Sequence, residues 1–175
     1  MNYAAIRNYD IANGEGVRTS LFVSGCTNHC PGCFNPAEQD FSYGKPYTEE
    51  TEREILHMIG NPVTAGLSIL GGDPLCQDAK GLGELIRLCR LTHKLGKTVW
   101  LWTGFEWEYV YRYHGRYPIT DFQQTLLECC DVVVDGPFKL ELADRALKWC
   151  GSANQRIIDV KKTIGSKIVL YERCV

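Results

Sequence analysis

Thr19-Ser20-Leu21-Phe22-Val23-Ser24 runs through Gly25 into Cys26-Thr27-Asn28-His29-Cys30-Pro31-Gly32-Cys33. The segment from Thr19 to Ser24 reads as a short buried strand, and the Cys, Pro, Gly and Asn residues after it read as a loop. A helix should follow. Thr48 stands at its N-cap, Glu49 and Glu50 suit the positive end of its dipole, and Gly60 with Pro62 stops it. Strand, loop and helix together form the first unit of an alternating α/β chain.

The alternation continues outward from there. Leu67 to Leu70 is a second apolar run that ends in Gly71 and Gly72. Asp78 then caps a helix reaching about Gly96, with Leu82, Leu85, Ile86 and Cys89 on one face at i, i+3, i+4 and i+7. Thr98 to Trp102 reads as the third strand. Thr120 with Gln123 suggests a capping box, and Val132 to Val134 the fourth strand. Beyond Gly136, Phe138 to Leu147 is expected to be helical and Lys167 to Tyr171 to be a last strand. Continuous apolar strands between helices predict a parallel α/β sheet, open or curled into part of a barrel. With 175 residues, below the roughly 200 of a full eightfold barrel, any barrel is incomplete, and residues 1–175 are expected to form a single domain.

Composition narrows the function. Nineteen basic residues against twenty-one acidic ones give a net charge of −2, no footprint for nucleic acid. No apolar run is long enough to span a membrane. Met1 is followed by Asn2, Tyr3, Ala4 and the charged Arg7 without the apolar stretch of a secretory signal, so the expected compartment is the cytoplasm. In that reducing setting nine cysteines point to metal or redox chemistry rather than to a disulfide scaffold.

Cys26, Cys30 and Cys33 are the compact thiol group. Pro31 and Gly32 break regular structure between the last two, which lets the loop curl and the sulfurs converge. Two readings stand on spacing alone. One is a zinc knuckle completed by His29 or a distant cysteine. The other is a four-iron cluster held through three irons, whose fourth iron stays open to a reactant. Cys89, Cys129 and Cys130 belong to helix faces and read as core, and Cys76, Cys150 and Cys174 form no second motif. Trp100, Trp102, Trp107 and the tyrosines near Tyr109 to Tyr117 have two readings, a partner surface and packing, and packing is the commoner for an aromatic group of this size.

In parallel α/β folds ligands gather at the carboxyl ends of the strands. Cys26, Gly71-Gly72, Thr103-Gly104 and Asp135-Gly136 each follow a predicted strand, so all four groups should share one rim. The glycine pair serves a tight turn, and its bare backbone also permits close approach of a ligand.

The spacing Cys26-x-x-x-Cys30-x-x-Cys33 after a first strand resembles the signature of the radical S-adenosylmethionine superfamily, and Gly71-Gly72-Asp73-Pro74 resembles its Gly-Gly-Glu-Pro element with Asp for Glu. Five flanking stretches resemble the branch that activates anaerobic ribonucleoside-triphosphate reductase. They are Asn13-Gly14-Glu15-Gly16-Val17-Arg18, Leu21 to Cys26, Cys30-Pro31-Gly32-Cys33-Phe34-Asn35, Val134-Asp135-Gly136 and Gly151-Ser152-Ala153-Asn154-Gln155-Arg156. Two positions depart from the wider pattern. The aromatic residue that much of the superfamily has just before the third cysteine is here Gly32, with Phe34 just after, and Glu15 stands where related activators often have proline.

The resemblance implies an incomplete parallel (βα) barrel, a [4Fe-4S] cluster on Cys26, Cys30 and Cys33, and S-adenosyl-L-methionine contacted by Gly32, Cys33, Phe34, Gly71 and Gly72. It implies reductive cleavage of that cosubstrate and a glycyl radical installed on the large reductase subunit, with an electron donor such as flavodoxin. No general acid or base is required, so no residue is assigned a catalytic role. Within the same chemistry the alternative targets are another glycyl-radical enzyme, such as pyruvate formate-lyase, or a small molecule.

Overall fold

The computed structural model of the protein describes residues 1–113, 115, 118–165 and 167–172. Seven strands form one sheet: β1 (Asn2–Asp10), β2 (Val17–Val23), β3 (Lys45–Pro46), β4 (Thr64–Gly71), β5 (Thr98–Trp102), β6 (Val132–Asp135) and β7 (Arg156–Asp159). Their order is β3-β1-β2-β4-β5-β6-β7. The central strands β2, β4, β5 and β6 are parallel, while β1, β3 and β7 join antiparallel at the two sides. Helices α1 (Glu49–Ile59), α2 (Ala79–Lys94), α3 (Trp107–Tyr113) and α4 (Pro118–Glu128) fill the connections. The result is a mixed α/β fold with a parallel centre.

Strand alternation divides the sheet into two faces. Leu21, Val23, Leu67, Ile69, Val99, Leu101 and Val133 are fully buried and pack with Ile55, Ile59, Leu82, Leu85, Leu88 and Leu126 of the helices. Each such side chain contributes about 1.5 to 3 kcal/mol by leaving water. The opposite face carries Arg18, Ser20, Ser68 and Trp100, also buried. There Arg18, 1 % exposed, donates to Ser68 Oγ, the Leu67 and Thr98 carbonyls and the Glu15 carbonyl, with Trp100 under its guanidinium. Burial lowers its pKa to about 10. Ser68 in turn donates to the Asn13 carbonyl. The Asn13 to Arg18 stretch thus closes the amino end of the parallel strands, away from the cysteine loop.

Helix starts follow the sequence signals. Thr48 Oγ1 accepts from Thr51 N, and Thr51 Oγ1 from Thr48 N, a reciprocal cap. Asp78 accepts from Gly81 N at 2.7 Å. Each cap stabilises by about 1 kcal/mol. The α2 face of Leu82, Leu85, Ile86 and Cys89 is buried, as are Trp100, Trp107 and Cys130. Cys129 is half-buried. Tyr117 and Cys174 lie outside the described residues.

Other expectations are corrected. Helix α4 begins at Pro118, so Thr120 and Gln123 lie inside it and form no capping box. Their side chains donate instead to the Tyr113 and Leu75 carbonyls. Phe138 to Leu147 is irregular apart from the short 3-10 turn Leu140–Leu142, because its polar groups are taken by the chain at Gly151 to Gln155. Among the described residues Lys167 to Tyr171 forms no regular strand and meets the chain at the isolated bridges Ile164 to Lys167 and Ile158 to Leu170. The strand that flanks β6 is β7 instead.

Candidate functional site

Strand β2 delivers Gly25 and Cys26 to the carboxyl rim of the parallel strands. Gly25 N and Cys26 N donate to the carbonyls of Glu38 and Gln39 at 2.8 and 3.1 Å, so the cysteine loop is closed at its base by the turn Pro36–Gln39. Within it, Cys33 N donates to Cys30 O at 3.2 Å, and Gly32 has φ +71°. Pro31 followed by a left-handed glycine is the pattern of a type II turn. It carries Cys30 and Cys33 at its two ends. Asn28 N donates to Cys26 Sγ and Asn35 N to Cys33 Sγ, both at 3.4 Å. Amide donors of this kind stabilise thiolate sulfur and tune a cluster it binds. Three half-buried thiols in one loop, two already accepting amide hydrogen bonds, are a donor set that fits a four-iron cluster. His29, the zinc-knuckle candidate, is paired with Gln39 Oε1 at 3.0 Å.

The glycine pair packs directly against this loop. Gly72 N donates to Val23 O and Asp73 N to Gly25 O at 2.7 and 2.9 Å. A Cβ on Gly72 would lie 2.6 Å from the carbonyl oxygens of both Glu38 and Gly25. Gly71, at φ +107°, is similarly pressed against Val23, and its carbonyl accepts from Asn35 Nδ2. Both glycines are required by close backbone approach.

Asp73 is the hub of the rim. Its buried carboxylate accepts from Asn28 Nδ2, Leu75 N, Thr103 Oγ1 and Gly104 N at 2.8 to 2.9 Å, tying together the ends of β2, β4 and β5. Burial raises its pKa to about 6 against the pull of those donors. Sγ of Cys26, the Asp73 carboxylate and Sγ of Cys76 lie within 4.8 Å of one another. The Cys26 thiol hydrogen-bonds Cys76, which pushes Cys26 up and Cys76 down. Among the described residues Cys30 and Cys33 do not belong to so tight a group.

The far side of the rim is built by the chain after β6. Asp135 accepts from Trp107 N and from Arg156, whose guanidinium also makes two hydrogen bonds to Glu108. The Glu108 and Asp135 carboxylates raise the Arg156 pKa further. Gln155 accepts from Gly151 N and donates to Gly136 O, and Asn154 donates to Pro137 O. These bonds hold the 136–142 segment against the cysteine loop. Phe34 packs on Phe138 with ring centroids 5.0 Å apart, and a Cβ on Gly32 would meet Leu140 at 2.9 Å. Phe34 remains 70 % exposed.

The structure therefore brings Cys26, Cys30, Cys33, Gly71 and Gly72 to one rim with Thr103-Gly104, and puts Gly32 and Phe34 on the side facing Phe138 and Leu140. Sequence reasoning missed Asn28 and Asp73 as fasteners and Cys76 as the neighbour of Cys26. Asp73 had a signal in its place after the glycine pair, whereas Asn28 and Cys76 had none, since their partners are 45 and 50 residues away in the chain. Among the described residues no helix is long and apolar enough to cross a membrane.

Residues 12–158 match the family model described as a 4Fe-4S single cluster domain, a span that includes every rim residue named above. The chain is 39 % identical over 161 residues to the anaerobic ribonucleoside-triphosphate reductase-activating protein of Vibrio cholerae, covering 90 % of this chain and 97 % of that one. It is 35 % identical over 158 residues to the protein of the same name from Escherichia coli K12, covering 89 % and 96 %. The bacteriophage T4 protein of that name is 33 % identical over 159 residues, covering 90 % and 93 %. With its three-thiol loop, its glycine turn and this likeness along nearly the whole of each relative, the chain belongs to the family of anaerobic ribonucleoside-triphosphate reductase-activating proteins.

Proposed function

We propose that this protein activates anaerobic ribonucleoside-triphosphate reductase by installing a glycyl radical on its large subunit, with S-adenosyl-L-methionine as cosubstrate and a [4Fe-4S] cluster on Cys26, Cys30 and Cys33. The observation that carries the reading is the three-thiol loop at the carboxyl rim, fastened through Asn28 to the turn after Gly71-Gly72. Cys26, Cys30 and Cys33 would hold the cluster, which when reduced would supply one electron for cleaving the cosubstrate's sulfonium to methionine and a 5′-deoxyadenosyl radical able to take a hydrogen atom from the partner's glycine.

The chain's own residues position and shield. The amides of Asn28 and Asn35 donate to the sulfurs of Cys26 and Cys33 and fix where they sit in the loop. Gly71 and Gly72 keep the rim low beside the loop, and together with Gly32, Cys33 and Phe34 they are the residues that would contact the cosubstrate. The sheet is read as the incomplete (βα) barrel of the radical S-adenosylmethionine fold, all within one domain, and its open side admits a loop of a protein substrate. An electron donor such as flavodoxin completes the system.

The test is anaerobic incubation with the reductase, a strong reductant and S-adenosyl-L-methionine. Methionine, 5′-deoxyadenosine and a doublet electron paramagnetic resonance signal on the partner are expected. Replacing the partner's radical glycine by alanine should abolish the signal. Cosubstrate cleavage that leaves this reductase without a radical, but places one on pyruvate formate-lyase or another glycyl-radical enzyme, would overturn the assignment of the target.

A further inference from the structure

Cys76 closes the 3-10 turn Pro74–Cys76 that follows the glycine pair, and the proposed function gives it no task. Its sulfur nevertheless lies within 4.8 Å of Cys26 Sγ. The approach is held from both sides. Thr27 N and Thr27 Oγ1 contact Cys76 Sγ at 3.4 and 3.3 Å, Cys76 N donates to Asp73 O at 3.0 Å, and Gln77 Nε2 ties the following residue to Ser24 O at 3.1 Å. Both thiols are half-buried, so a small oxidant reaches them. Cys30 and Cys33 stand outside this contact.

We infer that Cys26 and Cys76 are a reversible oxidation site. Once the cluster has been lost to oxidants, they close a disulfide that keeps the first ligand cysteine recoverable. The oxidant is a hydroperoxide. One thiolate attacks the peroxide, an S–O bond forms as the O–O bond breaks, the sulfur loses two electrons to become a sulfenic acid, and the departing hydroxide takes up the proton that the thiol had released and leaves as water. The second thiolate then attacks that sulfur, the S–S bond forms, the S–O bond breaks, and the departing hydroxide takes up a proton as a second water. Two thiols are oxidised by two electrons, and one hydrogen peroxide is reduced to two waters. The sulfurs must close to about 2.05 Å, and both sit on turns beyond their strands, where a shift disturbs no sheet hydrogen bond.

Two consequences follow. The bridge withholds Cys26 from the irreversible sulfinic and sulfonic states, and it blocks the cluster site until a dithiol reopens it by exchange. The bridge itself does not depend on the function proposed above. Only its effect on cluster assembly rests on Cys26 being a ligand.

The test uses cluster-free protein, prepared anaerobically with a chelator, exposed to equimolar hydrogen peroxide and then alkylated. Tandem mass spectrometry of the unreduced tryptic digest should find segment 19–53 joined to segment 54–80, with the bridge at Cys26 and Cys76. Dithiothreitol should restore full iron uptake. Cys76→Ser, prepared without oxygen, should take up iron like the parent. Given about three equivalents of peroxide, the amount that carries one thiol to the sulfonic acid, it should hold Cys26 as sulfinic or sulfonic acid and regain only a small fraction of the iron that the parent regains after the same dose. A bridge from Cys26 to Cys30 or Cys33 in the parent, or equal iron recovery by Cys76→Ser, would overturn the inference. None of these readouts requires a glycyl radical, so a failure here is distinguishable from a wrong target enzyme.

Discussion

Asn28 Nδ2 donates to Asp73 Oδ2 at 2.8 Å, a bond between the cysteine loop after β2 and the turn after β4. The same Asp73 oxygen accepts from Gly104 N at 2.8 Å, so the loop is anchored to the end of β5 as well. A side chain on Gly104 would collide with Asn28, so the amide has one place to sit. The loop's geometry is thus set from outside by a buried carboxylate rather than by its own eight residues from Cys26 to Cys33.

Asn28→Ala should therefore loosen the loop without touching a thiol. Removing one donor from a buried carboxylate costs about 1 to 3 kcal/mol, read as a lower denaturant midpoint. Iron should be lost faster to a chelator than from the parent protein. Equal chelation rates would show that the loop does not depend on Asp73.

Single alanine variants of Cys26, Cys30 and Cys33 should each lose the brown absorbance and the bulk of the bound iron, because three ligands are the least that hold a four-iron cluster. Cys89→Ala, in the core between α2 and the sheet, should keep its iron and lose stability only. A full cluster in Cys30→Ala together with an empty Cys150→Ala would reverse the ligand assignment.

The parallel centre of the fold was legible because its strands are apolar runs, each followed by a glycine or cysteine break: Leu67 to Leu70 before Gly71, and Val132 to Val134 before Gly136. The caps at Thr48 and Asp78 were legible for the same local reason. Strand β1 was not, since Asn2 to Asp10 mixes Arg7, Asn8 and Asp10 among its apolar residues and is ordered by pairing with β2. Nor was β7, a short stretch whose place is fixed by Arg156 meeting Asp135 and Glu108. The three thiols stand out by their spacing and the glycine pair by its place after a strand, whereas their assignment to a cluster and its cosubstrate comes from the family resemblance. Asn28 and Cys76 act through partners distant in the chain, which no local pattern reveals, and Asp73 is marked only by its place after the glycine pair.

Gly72→Ala should be harsher than a solvent-facing glycine substitution. The added methyl would meet two carbonyl oxygens at 2.6 Å, and backbone cannot yield as a flexible side chain does. Separating β4 from the cysteine loop should cost about 1 to 3 kcal/mol, as overpacking does, and iron content should fall with it. Gly83→Ala on α2, where a Cβ meets nothing within 4 Å, is the control and should stabilise slightly. Equal stability of the two variants would remove Gly72 from the contact.

Asp131, at the start of β6, gives the fold a measurable acid dependence. Its Oδ2 accepts from Val99 N at 2.7 Å and pairs with His93 Nε2 at 3.0 Å, while Lys161 reaches Oδ1. Burial alone would raise its pKa, but the donors Lys161, Val99 and His93 outweigh burial and hold it below the ordinary 3.8. A carboxylate lowered in the folded state stabilises fully above its unfolded value, and that stabilisation is lost as pH falls through the folded one. The window therefore opens below about pH 4. Asp131→Asn should cost about 1 to 3 kcal/mol at pH 7, where charge-assisted hydrogen bonds are lost. The gap between variant and parent should narrow as the parent's carboxylate protonates. Urea unfolding of both proteins from pH 7 down to pH 3 measures this, and a constant offset across the range would show that the Asp131 charge contributes nothing to the joint between β5 and β6.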